Sequence, residues 1–181
     1  MHGAAVAGAG AAGVAASLLA AHNAGGIAGA GLALLMVAIA VIDARHFVIP
    51  DELNIAALGL ALIYAGTQNG GIEAIGLAVI RGALLSLTFL GLRIAYRALR
   101  KRDGIGLGDV KLAGVAGAWL SWQTMPIAVQ IAALVALIAY AMHRYVTGHA
   151  LQMTHRLPFG LFFAPAIWLG WLMQALELAP F

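Results

Sequence analysis

Seven apolar stretches, at positions 3–21, 26–42, 53–67, 72–96, 107–122, 125–146 and 157–176, occupy most of this 181-residue chain, and polar punctuation separates each from the next. A helix needs roughly 20 mainly apolar residues to cross the hydrocarbon of a bilayer, and within the usual tolerance all seven qualify. The third is short, and the fourth is long enough to tilt or to project beyond the membrane. Such a chain has few folding choices, because every backbone N–H and C=O inside lipid must be satisfied by the protein itself. No strand-like alternation breaks the runs, which excludes a β-barrel. The expected fold class is all-α: a polytopic transmembrane bundle of about seven spans, forming a single membrane-embedded domain over 1–181.

Charge supports this reading. Only 9% of the residues are charged and 63% are hydrophobic, whereas a soluble domain carries about 25% charge to solvate its surface. The 23 glycines suit helices that approach closely in lipid, as in the pairs Gly25/Gly29 and Gly66/Gly70. Cysteine is absent, which excludes disulfides, thiolate metal sites and a cysteine nucleophile. The net charge of +3 fits loops facing anionic lipid, and no basic domain stands outside the membrane to bind nucleic acid.

The first stretch has the alternative of a cleaved signal peptide. Its n-region lacks Lys and Arg and a second span follows at once, so a retained helix is preferred. Basic residues set orientation. Loops 43–51 (Arg45), 97–103 (Arg97, Arg100, Lys101, Arg102) and 147–156 (Arg156, after Arg144) are basic, while 22–25, 68–71 and 121–124 contain no Lys or Arg. The N-terminus and the basic loops are therefore expected in the cytoplasm and the C-terminus outside. Asp43 ends a span going in, and Asp109 begins one going out, so both carboxylates fall at similar depth.

Seven acidic residues exist in the chain, and one at membrane depth is a functional candidate by default. Asp43 closes the run Val37-Ala-Ile-Ala-Val-Ile-Asp, and Asp109 lies in Gly104-Ile-Gly-Leu-Gly-Asp-Val-Lys-Leu. The glycines before Asp109 permit unusual backbone angles and close approach of another backbone, which suits an extended peptide lying beside the carboxylate. Two nearby carboxylates share one proton. The ionised member activates water while the protonated member hydrogen-bonds a scissile carbonyl, with no metal or cofactor. Such a pair titrates as a unit, so base and acid are not assigned to one or the other. The plainer alternative is that both acids cap helices and pair with Arg45 or Lys111.

The segment Ile42-Asp-Ala-Arg-His-Phe-Val-Ile-Pro-Asp resembles the first-aspartate signature of the type IV prepilin peptidases, and Gly104 to Leu112 resembles their Gly-x-Gly-Asp signature. Leu157-Pro-Phe-Gly is similar to the motif that opens their last helix, and Ala118-Trp-Leu suits the continuation. All three occur in the family's order. The resemblance implies an aspartic endopeptidase with Asp43 and Asp109 catalytic. Gly106, Gly108, Lys111, Pro50, Asp51, Pro158, Phe159 and Gly160 would serve as substrate-binding or structural support. It implies prepilin or pseudopilin substrates whose basic leader ends in Gly before a hydrophobic N-terminal helix, cleaved on the cytoplasmic side of the bacterial inner membrane. Pilus or secretion assembly proteins would be further partners. Asp51 is the rival for the first catalytic role and is read instead as a helix cap or electrostatic contact; with Glu52 and Asp103 it would attract a basic leader, though solvated loop charge is the simpler reading of each alone. Full-length members of the family commonly carry an extra helix and a cysteine-bearing cytosolic domain and also methylate the new N-terminus, so cleavage without methylation or zinc is expected here. Leu161 stands where the family often has Pro, a change expected to alter the loop without touching the acids.

Competing readings are weaker. His143, His149 and His155 recur every six residues, which does not align one helix face, and no His-Glu-x-x-His is present. Ser17, Ser86 and Ser121 lack a Gly-x-Ser-x-Gly context. A presenilin-like protease would carry Pro-Ala-Leu where this chain has Pro165-Ala-Pro. A transporter would show repeats and acids near the midplane, and a silent scaffold would not need both aspartates. Lys111 is assigned to lipid phosphate rather than substrate. Arg81, inside the fourth stretch, either snorkels outward or pairs across the bundle. Trp122 fits an interfacial anchor, and Trp119, Trp168 and Trp171 fit packing or lipid contact.

Overall fold

A computed structural model describes residues 2–21, 24–101, 104–147 and 158–176. Arg102, Asp103, His149, His155, Arg156 and Leu157, all weighed above, lie outside them. The described residues form seven helices: α1 (His2–Ala20), α2 (Ala24–His46), α3 (Asp51–Gly66), α4 (Ile72–Arg100), α5 (Leu107–Trp119), α6 (Thr124–Thr147) and α7 (Phe159–Ala175). Each apolar stretch thus becomes one helix. Four of them, α1, α2, α4 and α6, are long and apolar enough to cross a membrane. α7 is a shorter apolar helix of 17 residues. α3 and α5, at 16 and 13 residues, fall short of a full crossing.

α5 is short because it is interior. It packs against α3, α4 and α7, and Val110, Leu112, Ala113, Val115, Ala116, Gly117, Ala118 and Trp119 are all buried. A helix enclosed by other helices has no lipid thickness to match. Around it run α2 against α7 and α3, with α1 on α2 and α6 on α7 at the periphery. The outer faces carry exposed Leu77, Ile80, Leu84 and Leu87 on α4 and Leu134, Leu137 and Ile138 on α6. Apolar side chains thus point outward as well as inward, as lipid solvation allows.

The tightest seam joins α4 to α5. A Cβ placed on Gly117 would lie 2.4 Å from the Arg81 carbonyl oxygen, and one on Gly82 would lie 2.8 Å from that of Gly114. Only glycine lets these two backbones touch. Arg81 uses the seam as well, its Nε donating to the Gly117 carbonyl at 3.2 Å, so it binds across the bundle. Of the glycines in the paired motifs, Gly29 has the tightest reason to be small, because the ring of buried Trp171 lies where its Cβ would stand. Trp119 stacks on Tyr64 with ring centroids 5.4 Å apart, and its indole N–H donates to the Ala57 carbonyl at 3.0 Å. The Trp168 indole N–H donates to Ser17, and Trp122 is exposed.

Candidate active site

The end of α2 and the starts of α3, α5 and α7 meet at one end of the bundle. α2 closes on Arg45 and His46, cations that suit a helix C-terminus. Phe47 then takes a left-handed φ of 55°, its N–H bonded to the Asp43 carbonyl. This non-glycine αL residue turns the chain sharply, and the turn carries Ile49 inward to a buried position before Pro50 opens α3 as its N-cap.

Asp43 itself is 5% exposed. Its Oδ2 accepts the backbone N–H of Leu161 at 2.9 Å, so the carboxylate caps the first turn of α7 from a neighbouring helix. Pro158, the N-cap of α7, has no side-chain cap of its own. A Cβ on Gly160 would fall 2.8 Å from Asp43 Oδ2, which explains the glycine after Pro-Phe. Phe159 ties the start of α7 to α4 through Phe89, with Phe163 beside both.

Asp109 sits in the first turn of α5, half-buried, and its Oδ2 accepts the N–H of Gly106 at 3.1 Å. This is the N3-to-N-cap half of a capping box. The loop before it is held by α4: the Arg93 guanidinium donates to the Ile105 carbonyl, and the Tyr96 ring lies against Gly104. None of Gly104, Gly106 and Gly108 has a positive φ, and Gly106 is ordinarily extended at φ −69°. The expectation of unusual backbone angles is therefore corrected. What these glycines supply is room, for Tyr96 at Gly104 and for Ile49 at Gly108.

Ile49, part of the first-aspartate signature but given no role from the sequence, is the keystone. Its side chain stands 3.0 Å from a Cβ built on Gly108 and 2.8 Å from one built on Gly160. It thus wedges between the backbone carrying Asp109 and the helix start that holds Asp43. The two carboxylates come within electrostatic reach of each other. The sequence signal for Ile49 was its place in the first-aspartate signature, as the apolar residue before Pro50.

Lys111 and Asp51 meet elsewhere on this end, as an exposed ion pair at 2.6 Å. Asp51 is thus an electrostatic contact rather than a side-chain cap. Lys111 thus has a protein partner in Asp51, and it does not neutralise Asp109. Leu161 brings a second correction. Its substitution was expected to leave the acids untouched, yet its N–H is a direct donor to Asp43, and proline has no N–H to offer. Among the described residues no three His, Cys, Asp or Glu side chains gather in a metal-binding group.

Residues 30–141 match the Type IV leader peptidase family. Among curated relatives, the leader peptidase HopD of Escherichia coli is 33% identical over 77% of this chain and 88% of its own length. The prepilin leader peptidase/N-methyltransferase of Aeromonas hydrophila is 31% identical over 77% of this chain but 47% of its own length. That of Dickeya chrysanthemi is 35% identical over 78% and 49%. The chain thus spans about half the length of these bifunctionally named relatives. No solved structure gives a significant match.

Proposed function

The chain belongs to the type IV leader peptidase family, and from that membership we propose that it is an aspartic endopeptidase that removes the leader from prepilins or pseudopilins at the cytoplasmic face of the bacterial inner membrane. The observation that best supports this reading is the convergence of Asp43 and Asp109, each held by a backbone N–H and joined through Ile49. Neither acid is paired with Lys111, whose partner is Asp51, so the charge of the pair is left for chemistry.

In this reading the ionised carboxylate takes a proton from water as the oxygen attacks the scissile carbonyl. The protonated partner hydrogen-bonds that carbonyl oxygen. Collapse of the tetrahedral intermediate returns a proton to the leaving amine. The Leu161 and Gly106 N–H groups keep each carboxylate in one orientation, which is worth most when the reacting atoms must align within a few tenths of an ångström. Arg45 at the end of α2 and Arg97 and Arg100 at the end of α4 support a cytoplasmic orientation of this end.

The test is cleavage of a prepilin leader substrate by the purified chain in detergent, with the cut located by mass spectrometry. Asp43→Asn and Asp109→Asn are each expected to lower kcat by about 10³-fold or more while thermal unfolding stays close to wild type. Full activity in either variant would remove that aspartate from the mechanism. A cut inside the apolar helix, rather than after the leader Gly, would favour a presenilin-like reaction.

A further inference from the structure

The Gly106 N–H that holds Asp109 belongs to a peptide unit with a second partner. The other end of that unit is the Ile105 carbonyl, whose oxygen accepts a hydrogen bond from the half-buried Arg93 guanidinium of α4. No peptide bond among the described residues is cis, and in a planar trans unit the C=O and N–H point opposite ways. Arg93 and Asp109 therefore grip one rigid plate from its two sides. Tyr96 stands three residues beyond Arg93, on the same face of α4, and its ring lies against Gly104 just before the plate.

Two effects follow. A donor on the carbonyl polarises the unit, so its N–H donates more strongly, and a charged donor does this more than a neutral one. The plate also cannot turn about the chain axis without breaking both bonds. Gly106 is exposed, so water competes for its N–H, and a hold from behind is what keeps that N–H aimed at the carboxylate. Asp43 is held differently. Its donor lies in the first turn of α7, a helix with no charged residue.

We infer that Arg93 is a positioning residue for Asp109, acting through the 105–106 peptide to fix the direction of Oδ2 and the charge which that oxygen meets. The use made of this oxygen rests on the peptidase reading above. The other charges on the surrounding elements do not substitute for Arg93. Asp43 of α2 is itself an acid within electrostatic reach, Lys111 is paired with Asp51 of α3, and Arg45, His46 and Glu52 are exposed. Arg97 and Arg100 follow one and two turns further along α4.

Two readouts test the inference. Amide exchange at Gly106, followed by NMR on the labelled chain in detergent, needs no turnover. It is expected to quicken about fivefold in Arg93→Met and to keep the wild-type rate in Arg100→Gln, which removes the same charge two turns away. In the prepilin cleavage assay, Arg93→Met is expected to lower kcat about tenfold with KM within about threefold. The acid limb of its kcat–pH profile should move up by about half a unit, because the lost cation no longer favours the carboxylate. Arg93→Lys, which keeps the charge and a donor, should recover part of kcat and return the limb; Arg93→Gln, which keeps only a donor, should recover exchange protection more than the limb. Unchanged exchange in Arg93→Met, or an equal shift of the limb in Arg100→Gln, would overturn the inference and leave the peptidase reading standing. A lower folded fraction with the limb in place would make Arg93 a structural tie and overturn it likewise. Quickened exchange in a chain whose wild type cleaves no prepilin would support the hold on Asp109 and overturn the peptidase reading.

Discussion

Asp43 has two tasks that pull on the same oxygen. As a cap it accepts the Leu161 N–H, and as a proposed catalyst it must keep a fixed orientation toward water and substrate. This is why Asn is the informative replacement: its amide oxygen still accepts the cap, whereas Ala would lose about 1 kcal/mol of capping as well. Gly160→Ala probes the same spot by sterics. The new methyl would meet Asp43 Oδ2 and Ile49 Cδ1, both at 2.8 Å, so the carboxylate must swing away. We expect kcat to fall about 10²-fold with the helical circular dichroism spectrum unchanged; wild-type turnover would show that the carboxylate tolerates the shift. Leu161→Pro is a gentler probe, because proline is accepted in a first helical turn but carries no N–H. Losing one donor to Asp43 should lower kcat/KM by roughly three- to tenfold, read in the same cleavage assay.

The seam between α4 and α5 decides whether Asp109 arrives where it does. α4 holds the loop before α5 through Arg93 and Tyr96, and Ser86 donates to the Val110 carbonyl at 3.0 Å one residue past Asp109. Two glycines of these helices should respond in opposite senses. Gly117→Ala would push a methyl to 2.4 Å from a backbone oxygen, which backbone cannot evade, and should cost about 1–3 kcal/mol. Gly91→Ala meets nothing within 4 Å and should stabilise α4 by about 0.5–1 kcal/mol through reduced backbone entropy. Thermal unfolding in one detergent compares them directly. Equal melting temperatures would show that the seam is looser than these distances require.

For the molecule as a whole, the α2–α3, α4–α5 and α6–α7 connections should face one side of the membrane and the α1–α2, α3–α4 and α5–α6 connections the other. Because the chain contains no cysteine, single cysteines report topology without background. Cysteine at Arg45 or Lys101 is expected to react with a membrane-impermeant maleimide only after spheroplasts are opened, and cysteine at Gln68 or Gln123 before. The reverse pattern would move the aspartates to the outer face and sink the cytoplasmic assignment.

The division between what was legible and what was not follows from the range of the forces involved. Seven helices and the all-α class could be read from the chain, since in lipid the backbone must satisfy itself locally and each run of apolar residues is a local fact. Asp43 and Asp109 could be singled out as candidates too, because a charge at the edge of an apolar run is conspicuous and costly. Their meeting was not a local fact. It depends on Ile49 finding two glycines far apart in sequence, Gly108 and Gly160, and on an α7 N–H reaching an α2 carboxylate. That Lys111 pairs with a carboxylate could not be read until Asp51, sixty residues away, lay beside it. Composition and hydropathy select which segments become helices, but close packing between them turns on single Cβ atoms. That is why glycines that looked interchangeable in the sequence proved to have separate tasks, and why only the tertiary structure decided which residues surround the two candidate acids.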